Sequence, residues 1–211
     1  FMAGLMQTDI NSTDKLKRDL EEAKKMKIEI LPPDVNKSFY KFSLEGGSAI
    51  RFGLGGIKGA GDKVMKAIVQ TRIETGEFKN LDDLISRVGT ENLTKKDLEH
   101  LIQVGAMDRF GNRNALLAIH SSIFDRIAKQ GSVKKTGQID LFSAKGSMDQ
   151  VTTPLPNMPE IPAKLKIQWE KEKLGVFVSS HPLDSFSWLS VSDEYTSIAK
   201  CLKFSDGTRV K

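Results

Sequence analysis

The residues best placed to do chemistry in this sequence are glycines and lysines. Residues 53–61 read GLGGIKGAG, five glycines in nine positions, and the chain runs on without a break into the helix formers DKVMKAIVQ. Glycine reaches backbone conformations that a Cβ resists. A helix start offers unpaired N–H groups and the positive end of the peptide dipoles. Together they suit an anion, phosphate above all. Lys58, Lys63 and Lys66 flank the stretch and add Coulomb attraction.

Three glycine-rich phosphate binders can be compared. A Walker loop counted from Gly56 places its second glycine at Gly61, but Asp62 and Lys63 follow where Lys and Ser/Thr belong. A dinucleotide fingerprint counted from Gly59 meets Val64 where its third glycine belongs. The segment IKGAG, followed by a helix with Val64, Ala67 and Ile68, resembles the helix-hairpin-helix motif of DNA-binding proteins. The candidate contacts are Lys58, Gly59, Ala60, Gly61, Lys63 and Lys66, with the amides beside Ala60 facing outward. A ligand-free glycine turn is the plainer alternative. A second, degenerate copy, LIQVGAMDRFGNRNALL, favours the motif. There Gly105 follows Gly59 by 46 residues, and Met107 replaces the second glycine. Its grip is expected to be weaker, shared with Arg109, Arg113, Lys95 and Lys96; Arg113 reads equally well as a solvated helix residue. Such contacts read phosphates rather than bases, so binding is expected to be salt-dependent and indifferent to sequence.

Residues 138–142 read QIDLF within an aperiodic stretch. Gln138, Ile139, Asp140, Leu141 and Phe142 resemble the pentapeptide with which bacterial proteins bind the beta sliding clamp. An exposed Leu-Phe pair suits a pocket on a partner. The alternative is that both side chains fold back onto the chain's own core.

The elements that position these residues are mostly helices. Periodic apolar residues and caps predict helices over 12–27, 62–74, 80–88, 94–104 and 112–130, and over AKLKIQWEKEK from 163. FYKFSLEGGSAIRF reads as a hairpin turning at Gly46 and Gly47, IEILPPDVN as an extended piece, and VFVSSHP as a strand. The fold class is mainly α: a tandem helix-hairpin-helix domain with a small α+β piece before it and an incomplete β segment after it. Of the net charge of +5, residues 51–135 carry all the excess, 15 Lys/Arg against 10 Asp/Glu. A localised basic region fits phosphate binding. No run approaches the 18 apolar residues of a membrane span, and no signal-peptide pattern is present. The single Cys201 excludes an internal disulfide framework. His100, His120 and His181 are too scattered for a metal site, and Asp82-Asp83 reads as a helix start.

In their order, these features resemble the family of bacterial DNA polymerase III alpha subunits. The resemblance rests on FMAGLMQTDINSTDKLKRDLEEAKKMKIEILPPDVNKSFYKFSLEGG, IRFGLGGIKGAGDKVMKAIVQTR, LIQVGAMDRFGNRNALL, QIDLF and EKEKLGVFVSSHPLDSF. It implies a fragment divided at 1–50 (end of the fingers), 51–129 (tandem helix-hairpin-helix), 130–162 (linker with clamp peptide), 163–187 (helix and strand) and 188–211 (start of an oligonucleotide-binding barrel). It further implies a cytoplasmic parent enzyme, a DNA-directed DNA polymerase, whose partners are double-stranded DNA, the beta sliding clamp and other replisome subunits. The catalytic carboxylates and their Mg²⁺ would belong to a palm region outside this sequence, so no catalytic residue and no cofactor is expected here. A repair glycosylase module and a purely structural helical module are the two rival readings.

Overall fold

The computed structural model describes residues 1–10, 12–135 and 152–178. The QIDLF peptide, the C-terminal β segment and the second half of VFVSSHP lie outside the described residues. The described chain runs α1 (Met2–Thr8), α2 (Thr13–Lys25), β1 (Glu29–Leu31), β2 (Ser43–Glu45), β3 (Ala49–Arg51), α3 (Asp62–Thr75), α4 (Leu81–Val88), α5 (Lys95–Gln103), α6 (Arg113–Lys135) and α7 (Ala163–Lys173). It is mainly helical, as the apolar periodicity predicts.

Local chemistry sets the helix limits. Asn80 accepts the Asp83 N–H at the start of α4, and Gly89, at φ +85°, stops it. Thr94 and Asp97 form the complete capping box of α5. Leu16, Leu20 and Ala23 bury one face of α2. α1, which shows too few residues for a periodic pattern, buries Met2 and Met6.

Gly46 and Gly47, at φ +62° and +79°, turn β2 back onto β3. Tyr40 and Phe42 precede β2 instead of lying on it; Phe42 packs edge-on against Phe52, with ring centroids 4.7 Å apart. β1 pairs in parallel with β3, Glu29 opposite Ala49, and makes β3 the central strand. The described residues form one compact unit, and the expected boundary at residue 50 falls inside β3.

Residues 152–162 hold no helix or strand and are hydrogen-bonded to α4 and to α6 and its N-terminal flank. The Asp82 carboxylate accepts the Thr153 N–H at 3.2 Å and its hydroxyl at 2.8 Å, and pairs with Arg126. Asn112 and Asn114 donate their side-chain amides to the carbonyls of Met158 and Pro159. The described residues beyond α7, 174–178, hold no strand. Leu174 and Val176 bury there, and the buried Glu170 carboxylate accepts the Val178 N–H at 2.9 Å.

Candidate nucleic-acid interface

The five glycines before α3 divide into two sets. Gly53 and Gly55 receive the loop 39–41, whose Phe39 and Tyr40 carbonyls accept the Leu54 and Gly55 N–H groups, both at 2.9 Å. A Cβ at Gly53 would stand 2.5 Å from the Lys41 carbonyl carbon, and one at Gly55 2.7 Å from the Tyr40 ring. At Gly56 it would strike the Phe52 ring. This set makes room for a neighbouring segment; the sequence motif does not account for it.

Gly59 and Gly61 form the hairpin itself. Gly59 sits at φ +82°, against the ring of the buried His100. Gly61 is the N-cap of α3, in extended conformation and without a side-chain cap. Three of the four amides from Lys58 to Gly61 find acceptors inside the chain: Lys58 on the Lys173 carbonyl at 2.7 Å, Ala60 on Ile57 at 3.4 Å, Gly61 on Asp97 Oδ1 at 3.3 Å. The expectation of a fully outward set beside Ala60 is therefore corrected. The amides without an acceptor among the described residues are those of Gly59 and of the first turn, Asp62, Lys63 and Val64. The anion-holding capacity lies about one residue further into α3 than the motif alone suggests.

The lysines differ in what they touch. Lys58 turns to the N-terminus of α2, donating to Thr13 Oγ1 at 2.9 Å. Lys66 places its Nζ 4.9 Å from the centre of the Tyr40 ring. Lys63 is exposed and makes no ion pair among the described residues. Burial, and then the adjacent Asp62 carboxylate, raises the Tyr40 phenol above its ordinary pKa. His100 is held below the ordinary imidazole value of 6.5, first by burial, then by Lys173 and Lys96. Its Nδ1 has no partner among the described residues.

The second hairpin is a different object. Residues 101–107 are all buried. The Gly105 and Ala106 amides return to the carbonyls of Ile102 and Leu101, at 3.0 and 2.9 Å, and so close α5; this is a Schellman-type cap with Gly105 at φ +81°. Arg113 is buried beneath it, with Nε and Nη2 each 2.7 Å from the Asp108 carboxylate and Nη1 3.0 Å from the Gln103 carbonyl. Gly105 keeps its N–H for α5, and Asp108 and the Gln103 carbonyl hold three of the N–H groups of the buried Arg113, which sets both residues apart from the open amides of the first hairpin. Arg109 is committed to Glu77 at 3.1 Å and Asp34 at 3.9 Å. Met107, which stands where a glycine would complete the motif, is fully buried and plugs the core.

The carboxylates that a glycosylase reading would recruit are structural. Asp83 accepts the Lys79 N–H and pairs with Arg87, both at 2.9 Å, while Asp82 holds Arg126 and Thr153. No helix among the described residues is long and apolar enough to cross a membrane.

A family model described as the helix-hairpin-helix motif matches residues 27–116. That span takes in the sheet, the glycine run and both hairpins. DNA polymerase III subunit alpha of Vibrio cholerae is 33% identical over 93% of this chain and 17% of its own length. The Mycobacterium tuberculosis subunit is 34% identical over 96% of this chain and 17% of itself. The Helicobacter pylori subunit is 36% identical over 88% and 16%. The chain spans about one sixth of the length of these relatives. Through nearly all of its residues, the chain is related to one segment of the DNA polymerase III alpha-subunit family, and it carries the helix-hairpin-helix within that segment.

Proposed function

We propose that this chain is a duplex-holding and clamp-tethering segment of a replicative DNA polymerase. The observation that carries the duplex reading is the start of α3: a glycine hairpin, four N–H groups without acceptors among the described residues, and beside them Lys63, which makes no ion pair among those residues. Helix dipole and amides together hold a phosphate oxygen of the DNA backbone. The grip reads no base, so it serves any sequence that a polymerase copies. It is one-sided, because the second hairpin keeps its amides for α5. The polymerase relatives supply the context, and DNA synthesis belongs to the whole enzyme. The peptide Gln138–Phe142 would add the clamp tether, with Leu141 and Phe142 filling a groove and Gln138 fixing the register.

The test is a salt titration of binding to random-sequence duplex. Lys63→Glu is expected to weaken binding uniformly across sequences and to lower the salt slope by about one. An unchanged slope sinks the assignment of α3. In a parallel titration with the isolated clamp, Leu141→Ala with Phe142→Ala is expected to abolish binding; unchanged affinity sinks the tether.

A further inference from the structure

The loop that enters the glycine run is held by hydrogen bonds, yet its first aromatic ring is left in solvent. Ser38 is fully buried; its hydroxyl donates to the Phe52 carbonyl at 2.7 Å and accepts the Asp34 N–H at 2.9 Å. Phe39 and Tyr40 are fixed next to it by the two main-chain bonds from Leu54 and Gly55. Phe39 nonetheless stays 50% exposed. One face of its ring lies over the buried Arg72 guanidinium, 5.4 Å from the ring centre. Arg72 is itself tied to the Val35 carbonyl at 2.8 Å, which blocks any deeper burial of the ring.

Cations continue from there. Lys41 is exposed with no ion pair among the described residues, Tyr40 lies under Lys66, and Lys63 stands one turn earlier on α3. Acids around the loop have partners: Asp34 and Glu77, which act on Arg72, pair with Arg109, Glu45 pairs with Arg51 and Lys37, and Asp62 meets Tyr40. Aromatic faces interleaved with ammonium groups match an unpaired strand, whose bases stack on rings and whose phosphates take the charge. A loop already held in place loses little freedom on binding.

We propose that the loop 39–41, together with Lys63 and Lys66, binds the unpaired nucleotides of a DNA strand beside the hairpin, with Phe39 as the stacking residue. This goes beyond the duplex reading, because the interior of a duplex offers no free base face to Phe39 and a blunt one exposes only its two terminal pairs.

The test titrates the full 211-residue chain against a labelled oligo-dT strand and, separately, a labelled blunt duplex, read by fluorescence anisotropy. Phe39→Ala is expected to weaken oligo-dT binding about fivefold or more while duplex binding stays within about twofold. Lys41→Glu is expected to follow the same pattern. Unchanged oligo-dT affinity in Phe39→Ala overturns the proposal, as does an equal loss for both ligands. If Phe39→Ala melts below the wild type, Phe39→Trp decides. Retained oligo-dT affinity with quenching of the added indole supports the site, and absence of quenching overturns it. Failure of the wild type to bind oligo-dT also overturns it. Failure to bind duplex alone sinks the duplex reading and leaves this site standing.

Discussion

The ring of His100 fills the space in which Gly59 would carry a Cβ: an atom placed there would stand 2.6 Å from the ring's Cε1. Gly59 also has φ +82°, so two separate obstacles meet a side chain at this position. Gly59→Ala is expected to cost about 1–3 kcal/mol, from backbone strain and the clash together. Urea unfolding measures the sum. In a His100→Ala background the same substitution should cost less, because the clash is gone while the backbone term remains. An equal cost in both backgrounds would show that the ring yields freely.

The low pKa of His100 gives stability a definite pH dependence. Burial disfavours the charged imidazole in the folded chain, with Lys173 and Lys96 acting in the same direction and Glu99 and the Gly59 main chain opposing them. The unfolded chain takes up a proton near 6.5, and the folded one does so only at lower pH. This contribution is therefore fully present above that value and is lost as the pH falls towards the lower folded pKa. Urea midpoints between pH 8 and pH 5 should decline in the wild type and decline less in His100→Gln. Parallel curves would remove His100 as the cause.

Arg113 holds the second hairpin closed. Arg113→Ala leaves the Gln103 carbonyl and the Asp108 carboxylate without their partner, and is expected to cost about 2 kcal/mol. Arg113→Lys should recover little, since a single ammonium group cannot reproduce the two-pronged pairing. Duplex affinity, measured below the melting temperature, should stay unchanged. A selective loss of affinity with normal stability would return Arg113 to the DNA contacts.

Asp97 competes with any anion for the first hairpin. Its Oδ1 faces the Gly61 N–H at 3.3 Å, while Oδ2 takes the Thr94 N–H and hydroxyl at 3.0 and 2.6 Å. Asp97→Asn removes a negative charge from the phosphate position and weakens the capping box. Duplex affinity should rise about two- to fivefold as stability falls by about 1 kcal/mol. Lower affinity together with lower stability would mean that Asp97 orders the hairpin more than it repels the phosphate.

Much of the scaffold was legible because helix limits are local. Asn80, Gly89 and the Thr94–Asp97 box mark the ends of α4 and α5 in sequence, and they do the same in the fold. The turn at Gly46-Gly47 was legible for the same reason. The parallel pairing of β1 with β3 was not, since its register depends on residues about 20 positions apart and leaves no local signature. Arg113 misled because a charged residue near a helix start usually faces water; here Asp108 and a helix-end carbonyl draw it inside. The first hairpin was found correctly as a glycine-opened helix start. Sequence could not tell which amides remain free, because the competing acceptors come from Asp97 and Lys173, far along the chain. Glycine spacing gave no role to Gly53 and Gly55, because it does not reveal that a distant segment docks against them.

The stitching of residues 34–42 to α3 has a practical bearing on how the protein can be trimmed. Asn36 exchanges two hydrogen bonds with Phe78 just past the C-terminal end of that helix, Val35 takes Arg72 within it, and Tyr40 meets Gly55 ahead of its start. A truncation at residue 50 would strip the helix of these supports and cut β3 in two. An excised module meant to keep the grip intact should start upstream of Glu29.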